Sequence, residues 1–254
     1  MRGLIKRLLK RAGYEVHRTS IHTSAAAQLA RIIECVGIDL VLDIGGNVGQ
    51  FATSLREHGY RGRIVSFEPL SSAHARLLAT AQGDDLWQVA PRMALGDAEG
   101  EVSIHVAGNS LSSSVLDMLP EHLRAAPGSG PVGSETVTLR RLDHVAPEYL
   151  GAAKAVMLKI DTQGYEDRVL AGAAGVIDRM IAIQVEMSLV PLYAKQPLFD
   201  ELRKEIEVMN FTLFAIFPGY IHDVTGRTLQ VDGLFLRRGA EASGTRAVGG
   251  FSGE

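Results

Sequence analysis

The first half of the chain alternates short apolar runs with segments whose apolar residues recur at helical spacing. The apolar runs are DLVLDI, RIVSFEP and LWQVAPRMAL, at residues 39–44, 63–69 and 86–95. The helix-like segments between them are FATSLREHGY and SSAHARLLATAQ, at residues 51–60 and 71–82. Alternating strands and helices are typical of a parallel sheet with right-handed crossover connections. The pattern therefore predicts an α/β fold.

The alternation breaks at about residues 100–140 and then resumes. EVSIHVAG and ETVTLRRL are short extended segments around a loop rich in Gly, Pro and Ser, so this stretch is predicted to be an inserted lid segment. Beyond it, AVMLKID (155–161) and IAIQVEM (181–187) predict two strands, with helices at residues 165–174 and 197–209. FTLFAIF and DGLFLRR predict an antiparallel pair that closes the sheet.

The two ends of the chain differ from its centre. Residues 1–30 predict a basic amphipathic helical extension, in which charges interrupt the apolar residues and exclude a signal peptide. A helix packed on the domain with solvated basic side chains is the favoured interpretation, and a helix resting on anionic lipid is the alternative. Residues 239–254 lack apolar periodicity and predict a disordered tail, so the main domain covers residues 31–238.

Composition narrows the classes of function. The 254 residues carry a formal net charge of -3, which gives the whole chain no attraction to nucleic acid, and no nucleic-acid partner is expected. The single cysteine, Cys35, cannot form an internal disulfide. The length is sufficient for one sizeable core.

The turn after the first strand carries the most informative chemistry. VLDIGGNVGQF (41–51) places Asp43 at the end of the strand, followed by Gly45, Gly46 and Gly49. The dinucleotide pattern G-x-G-x-x-G is incomplete, and the P-loop is excluded because no G-K-[ST] follows. Ligands of such sheets bind at the carboxyl ends of the strands. The turn therefore indicates a nucleoside-sized ligand that has no pyrophosphate and has a positively charged group that could meet Asp43. S-adenosylmethionine has these properties.

Glu68 supports the same interpretation. It closes the second strand about twenty residues beyond the glycine turn. In this architecture an acidic side chain at that place accepts hydrogen bonds from both ribose hydroxyls. The combination of Asp43, the glycine turn and Glu68 favours a bound nucleoside.

Seven segments carry a family resemblance, and they are VLDIGGNVGQF, SFEPL, the serines of residues 111–115, RRLDHV, LKIDTQGYEDRVLAGA, IQVEMS and DGLFLRR. In this order they resemble the FkbM family of S-adenosylmethionine-dependent methyltransferases, with KIDTQGYE as the most specific element. Gly46 stands where the family usually has alanine, which is a conservative change. The resemblance implies a class I methyltransferase Rossmann-like fold with a mostly parallel seven-stranded sheet and an antiparallel C-terminal strand pair. With VPLY and FPGY, the chain is most similar to mycobacterial-type enzymes that O-methylate deoxysugar hydroxyls of cell-envelope glycolipids.

The resemblance also implies which residues contact the cofactor. It places a first group of residues, the methionine group, around the methionine moiety of the cofactor, and Glu68 on the ribose. It places Met93 and its neighbours beside the adenine, and serines of the inserted segment over the cofactor. The methionine group is Asp43, Gly45, Asn47, Gly49 and Gln50; the adenine group is Met93, Ala94 and Leu95; and the serines are Ser113 and Ser114.

Two acids at adjacent strand ends are the candidates for catalysis. Asp161 closes the fourth strand of the sheet and Glu186 the fifth, so both carboxylates should open onto the ligand crevice. They can act as general base and orienter, or together bind a divalent cation through hard oxygen ligands, with Asp232 as a third ligand. The two residues after Glu186 carry no acid or amide, so metal-independent catalysis is favoured. His222 is predicted to be an auxiliary base, and an ordinary surface histidine is the alternative.

The predicted function is S-adenosylmethionine-dependent O-methylation of a sugar hydroxyl, with a deoxysugar of a cell-envelope glycolipid as the expected acceptor. The alternatives are an NAD-dependent oxidoreductase and a non-catalytic glycolipid-binding module of the same fold. We expect a cytoplasmic protein, with peripheral contact to the inner face of the plasma membrane through the N-terminal helix. The sequence leaves the oligomeric state open, with a homo-oligomer among the alternatives.

Overall fold

The computed structural model describes residue 7, residues 9–14 and residues 17–240. Residues 1–6, 8, 15 and 16 of the predicted extension lie outside the described residues, as do residues 241–254 of the predicted tail. The predicted boundaries between extension, domain and tail therefore stay predictions.

Ten strands lie within the described part of the chain. In chain order they are β1 (Leu40–Ile44), β2 (Arg63–Phe67), β3 (Trp87–Val89), β4 (Ala94–Leu95), β5 (Gly100–Ala107), β6 (Pro131–Arg140), β7 (Val156–Ile160), β8 (Met180–Ser188), β9 (Phe211–Pro218) and β10 (Gln230–Arg237).

Between residues 25 and 208, eight α-helices precede or connect these strands. They are α1 (Ala25–Val36), α2 (Gln50–Glu57), α3 (Ser71–Ala81), α4 (Pro120–Ala125), α5 (Leu142–Val145), α6 (Pro147–Leu150), α7 (Glu166–Gly172) and α8 (Phe199–Val208). None of the described helices is long and apolar enough to cross a membrane.

Seven strands form the central sheet in the order β3-β2-β1-β7-β8-β10-β9. The pairs β1–β2, β1–β7, β2–β3 and β7–β8 are parallel, whereas β10 runs antiparallel to both β8 and β9. The predicted mostly parallel seven-stranded sheet with an antiparallel C-terminal pair is confirmed. This order brings the carboxyl ends of β1, β2, β7 and β8 to one edge of the sheet.

Helices cover both faces of the central sheet. All five residues of β1 are buried, and alternate side chains pack on opposite faces, Leu42 on one and Val41 on the other. The face of Leu42 packs against α5 to α8, and the face of Val41 packs against α1 to α3. A central parallel strand buried on both sides is a continuous apolar run, which is why β1 was recognisable in the sequence.

A second sheet of three strands, in the order β4-β6-β5, occupies the region predicted to be an inserted segment. The apolar run at residues 86–95 contributes to both sheets, because β3 joins the central sheet and β4 the small one. Pro91 lies between them and has no N–H to donate to a strand neighbour, so one continuous strand cannot form. β6 begins at Pro131, inside a stretch predicted to be a loop, because its antiparallel pairing with β5 overrides the local composition.

The two sheets meet where α7 packs against the end of β4. A Cβ atom added at Gly172 would lie 1.9 Å from the carbonyl oxygen of Gly96. The backbone of α7 therefore touches the backbone that follows β4, and only a residue without a side chain permits this approach.

We expect Gly172→Ala to lower the free energy of unfolding by about 2–3 kcal/mol, because the added methyl group overpacks a contact between two backbones. Urea denaturation measures this loss. The control is Gly133→Ala, where a Cβ meets nothing within 4 Å, and it should change the free energy of unfolding by at most about 0.5 kcal/mol. Equal effects of the two substitutions would contradict the proposed packing.

Candidate active site

The glycine turn after β1 approaches β2 and β7 closely. The amides of Gly45 and Gly46 both donate to the carbonyl of Phe67, at 3.0 Å. Gly45 has a φ of 76°, and a Cβ there would lie 1.9 Å from the carbonyl oxygen of Asp161. Asn47 also has a positive φ, 47°, a conformation that Asn tolerates better than most residues. The contact between the backbones of Gly45 and Asp161 therefore requires the glycine that the sequence has at position 45.

Glu68 directly follows β2 and holds this turn through hydrogen bonds. Its Oε2 accepts from the backbone amide of Asn47 and its Oε1 from that of Leu70, each at 2.9 Å. The side chain is buried, and burial raises the pKa of Glu68 to about 7 even though both amide bonds oppose the rise. Each carboxylate oxygen keeps a second lone pair that a ligand hydroxyl can use.

Asp43 lies beneath the turn and is fully buried. The hydroxyl of Ser66 donates to its Oδ2 at 2.9 Å, and the ammonium group of Lys159 lies 3.3 Å from its Oδ1. The indole N–H of Trp87 in turn donates to Ser66 at 3.0 Å. Asp43 therefore supports the turn from inside the protein, and its predicted contact with the cofactor stays a prediction.

A cleft opens above the turn, between the central sheet and the small sheet. It encloses about 690 Å³ of empty space, including the open solvent at its mouth. Nine of the predicted site residues line it: Gly45, Asn47, Glu68, Met93, Ala94, Leu95, Ser113, Ser114 and Asp161. The tertiary structure thus gathers residues from both sheets around one cavity.

The other predicted site residues lie outside the lining of this cleft. Gly49 caps the start of α2 with a φ of 94°, and Gln50 is the first residue of that helix. Glu186 lies on β8 beside Asp161, which follows the neighbouring strand β7, and His222 lies in the loop between β9 and β10. The Nδ1 atom of His222 accepts from the amide of Val224 at 3.2 Å, within its own loop. The roles of these residues stay predictions.

Asp161 and Glu186 are brought together by an amide that the sequence analysis did not select. Nε2 of Gln163 donates to Oδ1 of Asp161 at 2.9 Å and to Oε2 of Glu186 at 2.7 Å. Nε2 of Gln230 donates to the same Glu186 oxygen at 2.7 Å. Burial, followed by the negative charge of Asp161, raises the pKa of Glu186 well above its usual range. A carboxylate with a raised pKa beside a ligand cleft is typical of a general base.

Lys159 is the cation at the centre of this cluster. Its ammonium group lies 3.3 Å from Asp43 and 3.4 Å from Asp161, and it donates to the carbonyl of Gly45 at 3.3 Å. Burial lowers the pKa of Lys159, but the charges of Asp161 and Asp43 more than offset this and raise the pKa above its usual range. The lysine is therefore charged, and it links β1, β7 and the glycine turn.

The acids of this region do not form a metal-binding group in the part of the chain that the structure describes. No cluster of three or more His, Cys, Asp or Glu side chains is arranged there to hold a metal ion. Asp232 pairs with Glu186 across β10 and β8, but no hydrogen bond joins their carboxylates among the described contacts.

Three residues of the site were not selected from the sequence, namely Lys159, Gln163 and Gln230. Gln163 lies inside KIDTQGYE, so the motif indicated its position but not its direction, which depends on a positive φ of 56°. Gln230 precedes the predicted final strand, and only the register of β10 against β8 places it beside Glu186.

Asp232 generates a pH prediction. Burial, followed by the negative charge of Asp161, raises the pKa of Asp232 to about 6. The unfolded chain loses this proton near its ordinary pKa of about 3.9, so the native state binds more protons between the two values and its stability falls as the pH rises through them. Asp232→Asn removes this titration.

Between pH 4 and pH 8 we expect the free energy of unfolding to decrease in the parent protein. In Asp232→Asn this decrease should be smaller by about 2 kcal/mol. Urea denaturation across this pH range measures the difference. The exposed Asp85 supplies the control, since Asp85→Asn should leave the pH dependence unchanged. Parallel curves for Asp232→Asn and the parent would contradict the raised pKa.

Part of this chain is similar to part of a much longer curated protein. The AMB antimetabolite synthetase AmbE of Pseudomonas aeruginosa is 28% identical over 243 aligned residues, which cover 74% of this chain and 11% of the synthetase. The chain thus spans about a tenth of the length of that curated relative.

The chain also has structural similarity to solved proteins. Magnesium protoporphyrin IX methyltransferase of Synechocystis with bound SAM has a TM-score of 0.46 and 11% identity, covering 92% of this chain and 96% of its own. TehB of Haemophilus influenzae has a TM-score of 0.47 and 10% identity, covering 85% of this chain and 63% of its own.

The sequence profile of the Methyltransferase FkbM domain matches residues 43–213. This match covers more than half of the chain, from the end of β1 into β9, and it includes the glycine turn, Glu68, the small sheet and the acid pair. The protein therefore belongs to the FkbM family of methyltransferases.

Proposed function

We propose that this protein is an S-adenosylmethionine-dependent O-methyltransferase that acts on a sugar hydroxyl. The observation that carries the proposal is the acid pair Asp161–Glu186, one member of which lines the ligand cleft while the other is joined to it through a shared amide. The resemblance of the sequence supports the finer part of the proposal, a deoxysugar of a cell-envelope glycolipid.

The residues of the cleft fit the cofactor. Gly45 lines the cleft, and its backbone contacts that of Asp161 so closely that no side chain fits there. Glu68 offers carboxylate lone pairs suited to ribose hydroxyls, and the buried apolar side chains of Ala94 and Leu95 offer a surface suited to the adenine. When bound, S-adenosylmethionine supplies an electrophilic methyl group.

The acid pair supports O-methylation because a sugar hydroxyl is a poor nucleophile until its proton is removed. A carboxylate within hydrogen-bond reach of the hydroxyl can take that proton, and it does so best when its pKa lies near the working pH. Glu186 has a raised pKa, and the ammonium group of Lys159 lies 3.4 Å from a carboxylate oxygen of Asp161. One acid can therefore accept the proton while the other orients the hydroxyl.

The chemistry of the surrounding side chains favours a neutral, hydroxyl-rich acceptor. The groups beside the acid pair are Asp232, Gln163 and Gln230, which offer acid oxygens and amides, and Lys159 is the cation that the described contacts place there. Lys159 is already occupied by two carboxylates. Acids and amides suit hydroxyl groups, whereas a phosphate or carboxylate acceptor would be repelled.

The first test combines cofactor binding and turnover. We expect calorimetry to give micromolar binding of S-adenosylhomocysteine and no binding of NAD, and a labelled methyl donor to transfer its methyl group to deoxysugar glycosides. Glu186→Gln should lower kcat by about 100-fold or more, because it removes the general base. The same variant should keep the affinity for S-adenosylhomocysteine, since Glu186 lies outside the lining of the cleft.

The control is Glu148→Gln, an exposed acid on α6, which should leave both measurements unchanged. Binding of NAD in place of S-adenosylhomocysteine would favour the oxidoreductase alternative. Cofactor and glycolipid binding without turnover would favour the non-catalytic binding module. Full activity of Glu186→Gln would overturn the proposed role of the acid pair.

We also propose that the basic segment of residues 1–18 brings the enzyme to the cytoplasmic face of a membrane, where a glycolipid acceptor would lie. The segment carries Arg2, Lys6, Arg7, Lys10 and Arg11 among leucines and an isoleucine, and basic residues favour anionic lipid headgroups.

Deletion of residues 1–18 should abolish co-sedimentation with phosphatidylserine vesicles while leaving turnover of a water-soluble glycoside unchanged. Neutral phosphatidylcholine vesicles serve as the control, since the attraction is electrostatic. Unchanged association with anionic vesicles after the deletion would show that this segment does not bind lipid.

A further inference from the structure

The backbone at Gln163 has an uncommon conformation. Its φ of 56° lies in the left-handed region, and Gly164 follows with a φ of 98°. A residue other than glycine stays in this region only when its surroundings hold it there. Oε1 of the buried Glu166 does so, because it accepts from the amide of Thr162 at 2.9 Å and from that of Gly164 at 3.1 Å. The turn therefore aims the side chain of Gln163 back at the strand ends.

The aimed side chain joins the two catalytic acids. Both N–H groups of its amide are used, one on Asp161 and one on Glu186, at 2.9 and 2.7 Å. Two carboxylates brought this close repel each other, and an amide that donates to both reduces that repulsion. The amide also fixes which oxygen of each acid is occupied.

The occupied oxygen of Glu186 is Oε2. Within the described residues, both hydrogen bonds to this carboxylate, from Gln163 and from Gln230, reach Oε2 at 2.7 Å. Oε1 is thereby left available to accept the proton of a hydroxyl. The charged groups that face Glu186 are the acids Asp161, Glu166 and Asp232 and the cation Lys159.

The other end of the Gln163 amide reaches the segment that closes one side of the cofactor cleft. Its Oε1 lies 2.9 Å from the hydroxyl of Tyr193, which is also 2.9 Å from the carbonyl of Ser112. The hydroxyl of Ser114, a lining residue of the cleft, donates to the backbone carbonyl of Gln163 at 2.7 Å. The acid pair and residues 112–114 are therefore connected through one residue.

We propose that Gln163 is a positioning residue, which orients the Asp161–Glu186 pair for proton removal and links that orientation to the seating of residues 112–114 against the cofactor cleft. This inference rests on the proposed function, because it assumes that the acid pair removes a proton from the acceptor. Gln163 lines the cofactor cleft, and its proposed role is to position the two acids rather than to take the proton itself.

Two substitutions test the role of the amide. Gln163→Met keeps a side chain of similar length but removes both donors, and Gln163→Glu replaces the amide with a further acid. We expect kcat with a glycoside acceptor to fall by about 10- to 100-fold in each. The acid limb of the pH profile of kcat should move up by about one pH unit in Gln163→Met, because loss of the amide donors disfavours the carboxylate form of Glu186. It should move further in Gln163→Glu, because the added negative charge disfavours that form as well.

The affinity for S-adenosylhomocysteine and the thermal midpoint report on binding and folding. The matched controls are Gln88→Met and Gln88→Glu on the exposed surface of β3, which should change none of these measurements. A loss of kcat without a shift of the pH profile would mean that Gln163 has only a structural role, and it would overturn the inference.

A second measurement needs no acceptor and separates this inference from the proposed function. Carbon-13 NMR of the protein labelled at glutamate carboxyl groups follows the titration of Glu186, whose signal is assigned by its loss in Glu186→Gln. Gln163→Met should raise the titration midpoint by about one pH unit. If the parent protein methylates no glycoside, the proposed function fails, whereas an unchanged midpoint in Gln163→Met overturns the inference.

Discussion

One buried ammonium group connects the elements on which the site depends. Lys159 lies on β7, contacts carboxylates at the ends of β1 and β7, and donates to the carbonyl of Gly45 in the glycine turn. A buried charge is costly unless it is paired, so Asp43 and Lys159 must be buried together, and Asp161 pairs with the same ammonium group from the side of the cleft. The contact between two central strands and the shape of the ligand cleft therefore depend on the same ion pairs.

A second consequence concerns the balance of charge. Glu68, Glu166, Glu186 and Asp232 all lie in or near the site with raised pKa values, and burial is the largest cause for each. Lys159 compensates only part of this negative charge. Backbone amides stabilise Glu68 and Glu166, while side-chain amides stabilise Glu186. Hydrogen bonds thus stabilise several acids in the site, and these acids differ in which groups donate to them.

Local sequence pattern explains the strands of the central sheet, whereas the contacts of individual side chains depend on packing. The runs around β1, β2, β7 and β8 are apolar because these strands are buried on both faces, so the parallel sheet could be predicted from local pattern alone. Glu68 could be predicted too, because its place at a strand end follows from the topology. Asp43 shows the limit: the sequence places it at the same edge, but only packing shows that it faces Lys159 and Ser66 beneath the turn.

The sequence by itself determined the order of strands and helices, the glycine turn and the acids at the strand ends, since these depend on periodicity and on local backbone requirements. Only the tertiary structure decided that residues 86–95 divide between two sheets and that Gln163 and Gln230 meet at one oxygen of Glu186. The physical reason is distance along the chain. The direction of a side chain such as Gln163 depends on a left-handed backbone held by other residues, and its partners come from strands that pair only after folding.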